Sequence, residues 1–131
     1  MTTTEPLTGH VTNAADQQDL RGVMFPVDRE LVAVRCEVTG EIPAGLNGSY
    51  VRNGPNPMFE PIGKYHMFDG DGMLHGVELA DGTATYTNRW IRSRGLEAEI
   101  RLGRAVYPGL SDVMNFPDAS VVGDAGPVKN P

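Results

Sequence analysis

The sequence predicts an all-β protein built from antiparallel strands. Apolar and polar residues alternate through residues 73–79 and again through 84–91, and Asp81-Gly82 between the two runs is a strong hairpin turn. Glycine and proline supply 16 and 10 of the 131 residues, which exceeds their usual combined share of roughly 12%. This turn-rich composition suits short strands joined by tight connections.

The N-terminal part, residues 1–24, is predicted to be a flexible or loosely docked arm. It carries polar residues with only isolated apolar ones, so it has little to bury. The body of the protein is expected to occupy residues 25–131. Its first strand is predicted at residues 31–38, because a β-favouring run lies there between Pro26 and Gly40.

A second, short strand is predicted at residues 49–52, between two turn signals. Asn-Gly at 47–48 precedes it and Asn-Gly-Pro at 53–55 follows it. Proline has no N–H to donate to a neighbouring strand. We therefore expect residues 53–57 to leave the sheet and form an ordered loop.

The hairpin over residues 73–91 is the clearest local signal. His75 alternates with apolar residues on the first strand, so it is expected to face the interior as a hydrogen-bonded core histidine. On the return strand Tyr86 and Trp90 share one face, which is more often a packing stripe than a ligand platform.

One helical segment is predicted after the hairpin. Leu96 and Ile100 lie four residues apart between Gly95 and Gly103, which fits one or two turns of amphipathic helix. Beyond Tyr107 the chain is rich in Gly, Pro, Asp and Asn. We expect no capped element and no closing strand there, as if the chain were cut rather than finished.

Composition and charge exclude several classes of function. The net charge of −6 arises from 17 acidic and 11 scattered basic residues, so a nucleic-acid-binding surface is not expected. No apolar run reaches the 18 or so residues of a transmembrane helix. The single Cys36 cannot form an internal disulfide or a zinc cluster, and no secretory leader is apparent, so we expect a cytoplasmic protein with an inert thiol.

A metal site is a candidate at the FDGDG segment, residues 68–72. His66, Asp69, Asp71 and His75 flank or lie within it, and these residue types bind metal ions. A tight glycine-bearing turn joining two strands explains the same residues and is the favoured interpretation. A calcium-binding EF-hand loop is excluded, because its sharp-turn glycine and its final glutamate are missing from the required positions.

Three sequence blocks resemble a known family. They are PAGLNGSYVRNGPNP at 43–57, YHMFDGDGMLHGVEL at 65–79 and YTNRWIRS at 86–93. In this order and spacing they resemble the N-terminal third or less of the carotenoid cleavage oxygenases, a family that includes stilbene-cleaving enzymes and a retinoid isomerase relative. The resemblance runs from about Phe25 to the last residue.

The resemblance implies the N-terminal part of a seven-bladed β-propeller, incomplete in this chain because the remaining blades are missing. It also implies Fe(II) held by four histidines and insertion of dioxygen across an alkene double bond. Those ligands lie downstream of Pro131, and His66 and His75 match positions that are not ligands. We therefore predict no catalytic and no metal-binding residue here. Phe68 and Trp90 are candidates for the wall of an apolar substrate tunnel.

Three hypotheses follow for the function. The first is a fragment of a dioxygenase that cleaves a carotenoid, an apocarotenoid or a stilbene, inactive alone. The second is a free-standing β-rich module that binds an apolar ligand or a partner chain without catalysis. The third, a small metalloprotein using His66 and His75, is the least favoured.

Overall fold

The protein was analysed as a computed structural model that describes residues 5–129. An antiparallel sheet with strand order β1-β4-β3-β2 forms its centre, which confirms the predicted all-β class. Residues 1–4 of the predicted arm and the terminal residues 130 and 131 lie outside the described part. The strands and helices are β1 (Val34–Arg35), β2 (Gly48–Pro55), β3 (Gly72–Ala80), β4 (Thr83–Trp90), α1 (Arg94–Leu102) and α2 (Ala119–Val122).

The β3–β4 hairpin forms as the sequence predicts. Its register runs from Met73 opposite Trp90 to Ala80 opposite Thr83. The turn residues Asp81 and Gly82 have φ angles of 49° and 74°, the left-handed pair that a two-residue type I′ turn requires.

Strand β2 is longer than predicted. It pairs with β3 from Gly48 opposite Leu79 to Pro55 opposite Gly72, so the expectation that the chain leaves the sheet at residue 53 is wrong. The reason is the position of β2 at the edge of the sheet. An edge strand tolerates a proline because one side of its backbone has no partner strand to receive a donated hydrogen bond.

Strand β1 is shorter than predicted. Of residues 31–38 only Val34–Arg35 forms a strand, paired with β4. Ala33 has a φ of 48°, and this left-handed conformation interrupts the extended path just before the strand. Beyond the strand, the Cys36 N–H donates to the Ala84 carbonyl at 2.9 Å, and the Cys36 thiol is half-buried rather than buried.

Two asparagine side chains hold the segment that precedes β1. The Asn56 amide bonds both backbone groups of Val27, accepting from its N–H at 2.7 Å and donating to its carbonyl at 3.0 Å. The Asn88 amide accepts from the Leu31 N–H at 2.5 Å and donates to the Arg29 carbonyl at 3.0 Å. These amides take the place of a neighbouring strand and satisfy the backbone groups of the segment.

The main core lies between one end of the sheet and helix α1. Met73, Trp90 and Leu96 are at most 3% exposed and pack with Met58 and Phe59. Helix α1 confirms the predicted helical segment. The Ser93 hydroxyl caps its first turn by accepting the Leu96 N–H, and left-handed Gly103 ends it.

The described part of the predicted N-terminal arm contacts the body. The Gly9 N–H donates to the Asp28 carbonyl at 2.7 Å, and the His10 N–H donates to the Met58 carbonyl at 2.6 Å. Leu20 is 1% exposed and packs in a small cluster with Tyr65. The division of the chain after residue 24 stays a prediction.

The segment after helix α1, residues 103–129, is here called the strap. It contains α2, whose first turn is capped by the Asp118 carboxylate accepting the Ser120 N–H at 2.8 Å. The expectation of no capped element beyond Tyr107 is therefore wrong. Within the described range the strap contributes no strand to the sheet, and no helix there is long and apolar enough to span a membrane.

Candidate functional site: an apolar groove above a buried ion cluster

The FDGDG segment ends a long connection between β2 and β3, so it is not the tight turn that the sequence predicts. The His66 ring accepts the Phe68 N–H at 3.1 Å, and the Asp69 carboxylate accepts the His66 N–H at 2.9 Å. This reciprocal pair caps a single 3₁₀ turn, Met67–Asp69. The other Asp69 oxygen accepts the Leu110 N–H at 2.9 Å, which fastens the strap to this turn.

Gly70 lets two segments approach closely beside this turn. A Cβ added there would lie 2.7 Å from the Pro55 Cβ and 2.5 Å from the Tyr65 hydroxyl. That hydroxyl is buried and has no hydrogen-bond partner among residues 5–129. Burial raises the pKa of Tyr65, and the carboxylates of Asp69 and Asp71 raise it further.

A buried ion cluster lies beneath the turn, formed by Asp71, Glu99 and Lys129. The Lys129 Nζ lies 2.7 Å from Asp71 Oδ1 and 2.5 Å from Glu99 Oε2. The side chains of both acids are at most 1% exposed. Burial by itself lowers the pKa of Lys129, but the two carboxylates outweigh it, so the pKa is raised.

The remaining carboxylate oxygens of the cluster bind backbone groups. Asp71 Oδ2 accepts the Met58 N–H at 2.9 Å. Glu99 Oε1 accepts the N–H groups of Val106 and Tyr107 at 2.9 and 3.3 Å. The cluster thus joins the β2–β3 connection, helix α1 and both ends of the strap.

The four residues considered as metal ligands belong to three separate networks. His66 and Asp69 cap a turn, Asp71 binds Lys129, and His75 Nδ1 lies 2.7 Å from the Tyr86 hydroxyl. Burial lowers the pKa of His75, and Arg52 lowers it further. Across residues 5–129, no three His, Cys, Asp or Glu side chains are grouped so that they could hold a metal ion.

An apolar groove of about 360 Å³ lies between the FDGDG turn and the strap. Phe68 stands at one wall with 72% of its surface exposed. Asp69 and Lys129 supply charged groups to the lining. The apolar lining residues are Phe68, Tyr107, Pro108, Leu110, Val113, Phe116, Pro127 and Val128.

The two residues predicted for a substrate tunnel are not brought together. Phe68 lines the groove, whereas Trp90 is 3% exposed in the main core. The Trp90 indole donates to the Asn56 carbonyl at 2.8 Å, which satisfies its only polar group.

Sequence reasoning missed the buried charges. Glu99 lies three residues after Leu96 and beside Ile100, so helical geometry places it on the apolar face of α1. That position was the available signal for a buried acid. Lys129 offered none, because its partners Asp71 and Glu99 are distant in sequence and follow no periodic pattern.

Comparison with known proteins places the chain in a family. Residues 24–130 match the family described as "Retinal pigment epithelial membrane protein". The chain belongs to this family. Among curated relatives, the carotenoid 9,10(9',10')-cleavage dioxygenase 1 of Arabidopsis thaliana is 42% identical over 98 residues, covering 74% of this chain and 18% of the relative. A carotenoid cleavage oxygenase of Mycobacterium tuberculosis is 40% identical over 119 residues, covering 86% and 24%.

Two solved oxygenase structures share the fold of this chain. The lignostilbene dioxygenase of Pseudomonas brassicacearum has a TM-score of 0.72 at 24% identity, covering 85% of this chain and 24% of that one. A mutant of the Synechocystis apocarotenoid oxygenase has a TM-score of 0.57 at 31% identity, covering 65% and 18%. The resemblance to carotenoid cleavage oxygenases is confirmed, and the chain spans between about a sixth and a quarter of the length of its relatives.

Proposed function

We propose that this chain forms the N-terminal portion of a non-haem iron dioxygenase that cleaves an alkene double bond of a carotenoid, an apocarotenoid or a stilbene-like substrate. The observation that carries the proposal is the family match over residues 24–130, supported by relatives named as carotenoid cleavage dioxygenase and oxygenase. The complete enzyme would take an apolar substrate and dioxygen and release two carbonyl products.

The segment alone is inactive in this proposal, because residues 5–129 contain no group of side chains that fits an iron centre. An Fe(II) site that activates dioxygen needs several fixed ligands around open coordination positions. His66 caps a turn, His75 bonds Tyr86, and His10 stacks on Phe59 with ring centroids 5.5 Å apart. The iron and its ligands would belong to the remaining blades of the propeller.

The segment would contribute scaffold and part of the tunnel wall. Phe68 is assigned to that wall because it presents an exposed aromatic ring to an apolar groove. Trp90 lies in the main core, and a direct tunnel role for its ring stays a prediction. We also assign the protein to the cytoplasm, since its one cysteine, Cys36, is a free thiol, as expected in a reducing compartment.

A chimera tests the proposal most directly. Residues 25–131 of this chain would replace the matching segment of the Mycobacterium tuberculosis relative, and iron-loaded protein would be assayed with a carotenoid, an apocarotenoid and a stilbene by chromatography of the carbonyl products. We expect the chimera to cleave at least one substrate and the 131-residue chain to cleave none. A folded, iron-loaded chimera without activity, or cleavage by the chain alone, would contradict the proposal.

The apolar groove favours a second candidate, in which the chain alone binds an apolar ligand without catalysis. Phe68, Leu110 and Phe116 line the groove and are each more than half exposed, so they are accessible to an apolar molecule. Titration of the chain with a stilbene, followed by ligand fluorescence, would measure binding. Saturable one-to-one binding that Phe116→Ser abolishes would support this candidate, whereas no binding by a cooperatively folded chain would exclude it.

A further inference from the structure

A small cavity lies between the β2–β3 connection, helix α1 and the strap. Its volume is about 30 Å³, and a cavity of roughly 10–15 Å³ or more is large enough for one water molecule. The residues that line it include Tyr65 and the charged residues Asp69, Glu99 and Lys129. The size and the lining of this cavity therefore suit a water molecule rather than an apolar group.

The Tyr65 hydroxyl is a buried polar group without a partner in the described chain. Tyr65 is 3% exposed, and its hydroxyl oxygen has no hydrogen-bond partner among residues 5–129. An unpaired buried hydroxyl is costly, and ordered water commonly satisfies such groups inside proteins. The segment itself already shields this hydroxyl from solvent, so a group from outside would have to displace packed residues to reach it. The feature therefore does not depend on what surrounds the segment.

Two buried carboxylate oxygens in the same neighbourhood can also take a further hydrogen bond. Asp71 Oδ1 and Glu99 Oε2 contact the Lys129 ammonium as ion pairs, and neither oxygen has another hydrogen-bond partner among residues 5–129. A carboxylate oxygen can accept two hydrogen bonds. Water fits better than a metal ion, because the described residues contain no group of three His, Cys, Asp or Glu side chains that could hold one.

We propose that one buried water molecule occupies this cavity, accepts a hydrogen bond from the Tyr65 hydroxyl and donates one to Glu99 Oε2. Buried water typically makes about three hydrogen bonds. The Lys129 ammonium has three donors, of which the two carboxylates take two, so it can donate the third. The water thereby joins the β2–β3 connection to the buried ion cluster.

The water site also borders the apolar groove. Four residues line both spaces, namely Asp69, Tyr107, Gly109 and Lys129. The water therefore stabilises a wall that the cavity and the groove share. This inference concerns hydrogen bonds within the segment and does not rest on the proposed dioxygenase function.

Oxygen-17 magnetic relaxation dispersion, which counts long-lived internal water molecules in solution, tests the site. We expect the Tyr65→Phe chain to hold one such molecule fewer than the wild-type chain, because the water loses the hydroxyl that binds it. The matched control is Tyr107→Phe. Tyr107 lines the same cavity, but its hydroxyl already donates to the Gly126 carbonyl at 3.0 Å, so the count should not change. Equal counts for wild type and Tyr65→Phe, or an equal loss in both variants, would overturn the proposal.

Urea unfolding followed by circular dichroism gives an independent check. Without the water, Tyr65→Phe would raise the midpoint, because it removes an unpaired buried hydroxyl. With the water bound, the substitution should lower the midpoint by about 0.3–0.5 M, which corresponds to the loss of one hydrogen bond. An unchanged or higher midpoint would overturn the proposal.

A crystal structure of the wild-type chain tests the site without any substitution. At about 1.5 Å resolution we expect density for a water within about 3 Å of both the Tyr65 hydroxyl and Glu99 Oε2. A well-ordered cavity without that density would overturn the proposal.

Discussion

Replacement of Lys129 by methionine should destabilise the chain strongly. Methionine preserves most of the side-chain volume but leaves Asp71 Oδ1 and Glu99 Oε2 buried without the ammonium that lies 2.7 and 2.5 Å away. Removal of one partner from a buried ion pair typically costs about 3–5 kcal/mol. A domain of this size has a total stability of about 5–15 kcal/mol, so Lys129→Met should remove a large share of it.

Urea unfolding followed by circular dichroism and by Trp90 fluorescence would measure this loss as a shift of the midpoint. Lys64, the only other lysine, is exposed, so Lys64→Met is the matched control and should change stability by less than about 0.5 kcal/mol. Adding Glu99→Gln to Lys129→Met removes one unpaired charge and should recover about 1 kcal/mol or more.

The pH dependence gives a second check on Lys129. Because the pKa of Lys129 is raised in the folded state, its contribution is complete below the ordinary lysine value of about 10.4 and is lost only as pH rises through the folded-state value. Deprotonation of Lys129 should therefore cause no loss of wild-type stability between about pH 6 and 9. A midpoint difference equivalent to less than about 1 kcal/mol at pH 7 would refute the reasoning, because the ion cluster would then not stabilise the fold.

Three further predictions concern other buried contacts. Asn56→Ala should cost about 2–4 kcal/mol in urea unfolding, because both backbone groups of Val27 lose their partner; a loss below about 1 kcal/mol would contradict this. Gly70→Ala should cost about 1–3 kcal/mol by overpacking, whereas Gly45→Ala, with open space around it, should be near neutral. The pKa of His75 is lowered in the folded state, so its contribution is present above about pH 6.5 and is lost as pH falls through the folded-state value. His75→Gln should therefore gain stability relative to wild type between about pH 7 and 5, and parallel pH profiles would contradict this.

Local signals in the sequence were sufficient for the hairpin and the helix. The alternation of apolar and polar residues, together with a turn that needs two left-handed residues, determines the β3–β4 pair. Both signals depend only on residues that are close together in the sequence. The extent of β2 depended on its position at the sheet edge, which decides whether Pro55 is tolerated. Position in a sheet is a tertiary property that short-range patterns do not contain.

The candidate site was predictable only in part. The block containing FDGDG indicated a structured segment, and the structure confirms neither a metal site nor a tight hairpin turn there. The groove depends on the strap, whose glycines, prolines and polar residues follow no helical or strand period. The ion cluster joins Asp71, Glu99 and Lys129 across the chain, and such long-range charge pairing follows from packing rather than from spacing.

The position of Lys129 in the chain has a consequence for folding during translation. Synthesis proceeds from the N-terminus, so Asp71, which directly precedes the hairpin, and the helix residue Glu99 both leave the ribosome before Lys129, their shared counter-ion. Until Lys129 emerges, compaction of the finished sheet and helix would bury two uncompensated negative charges. The nascent hairpin and helix are therefore expected to remain loosely associated. They should pack stably only after the strap, with Lys129, has left the ribosome.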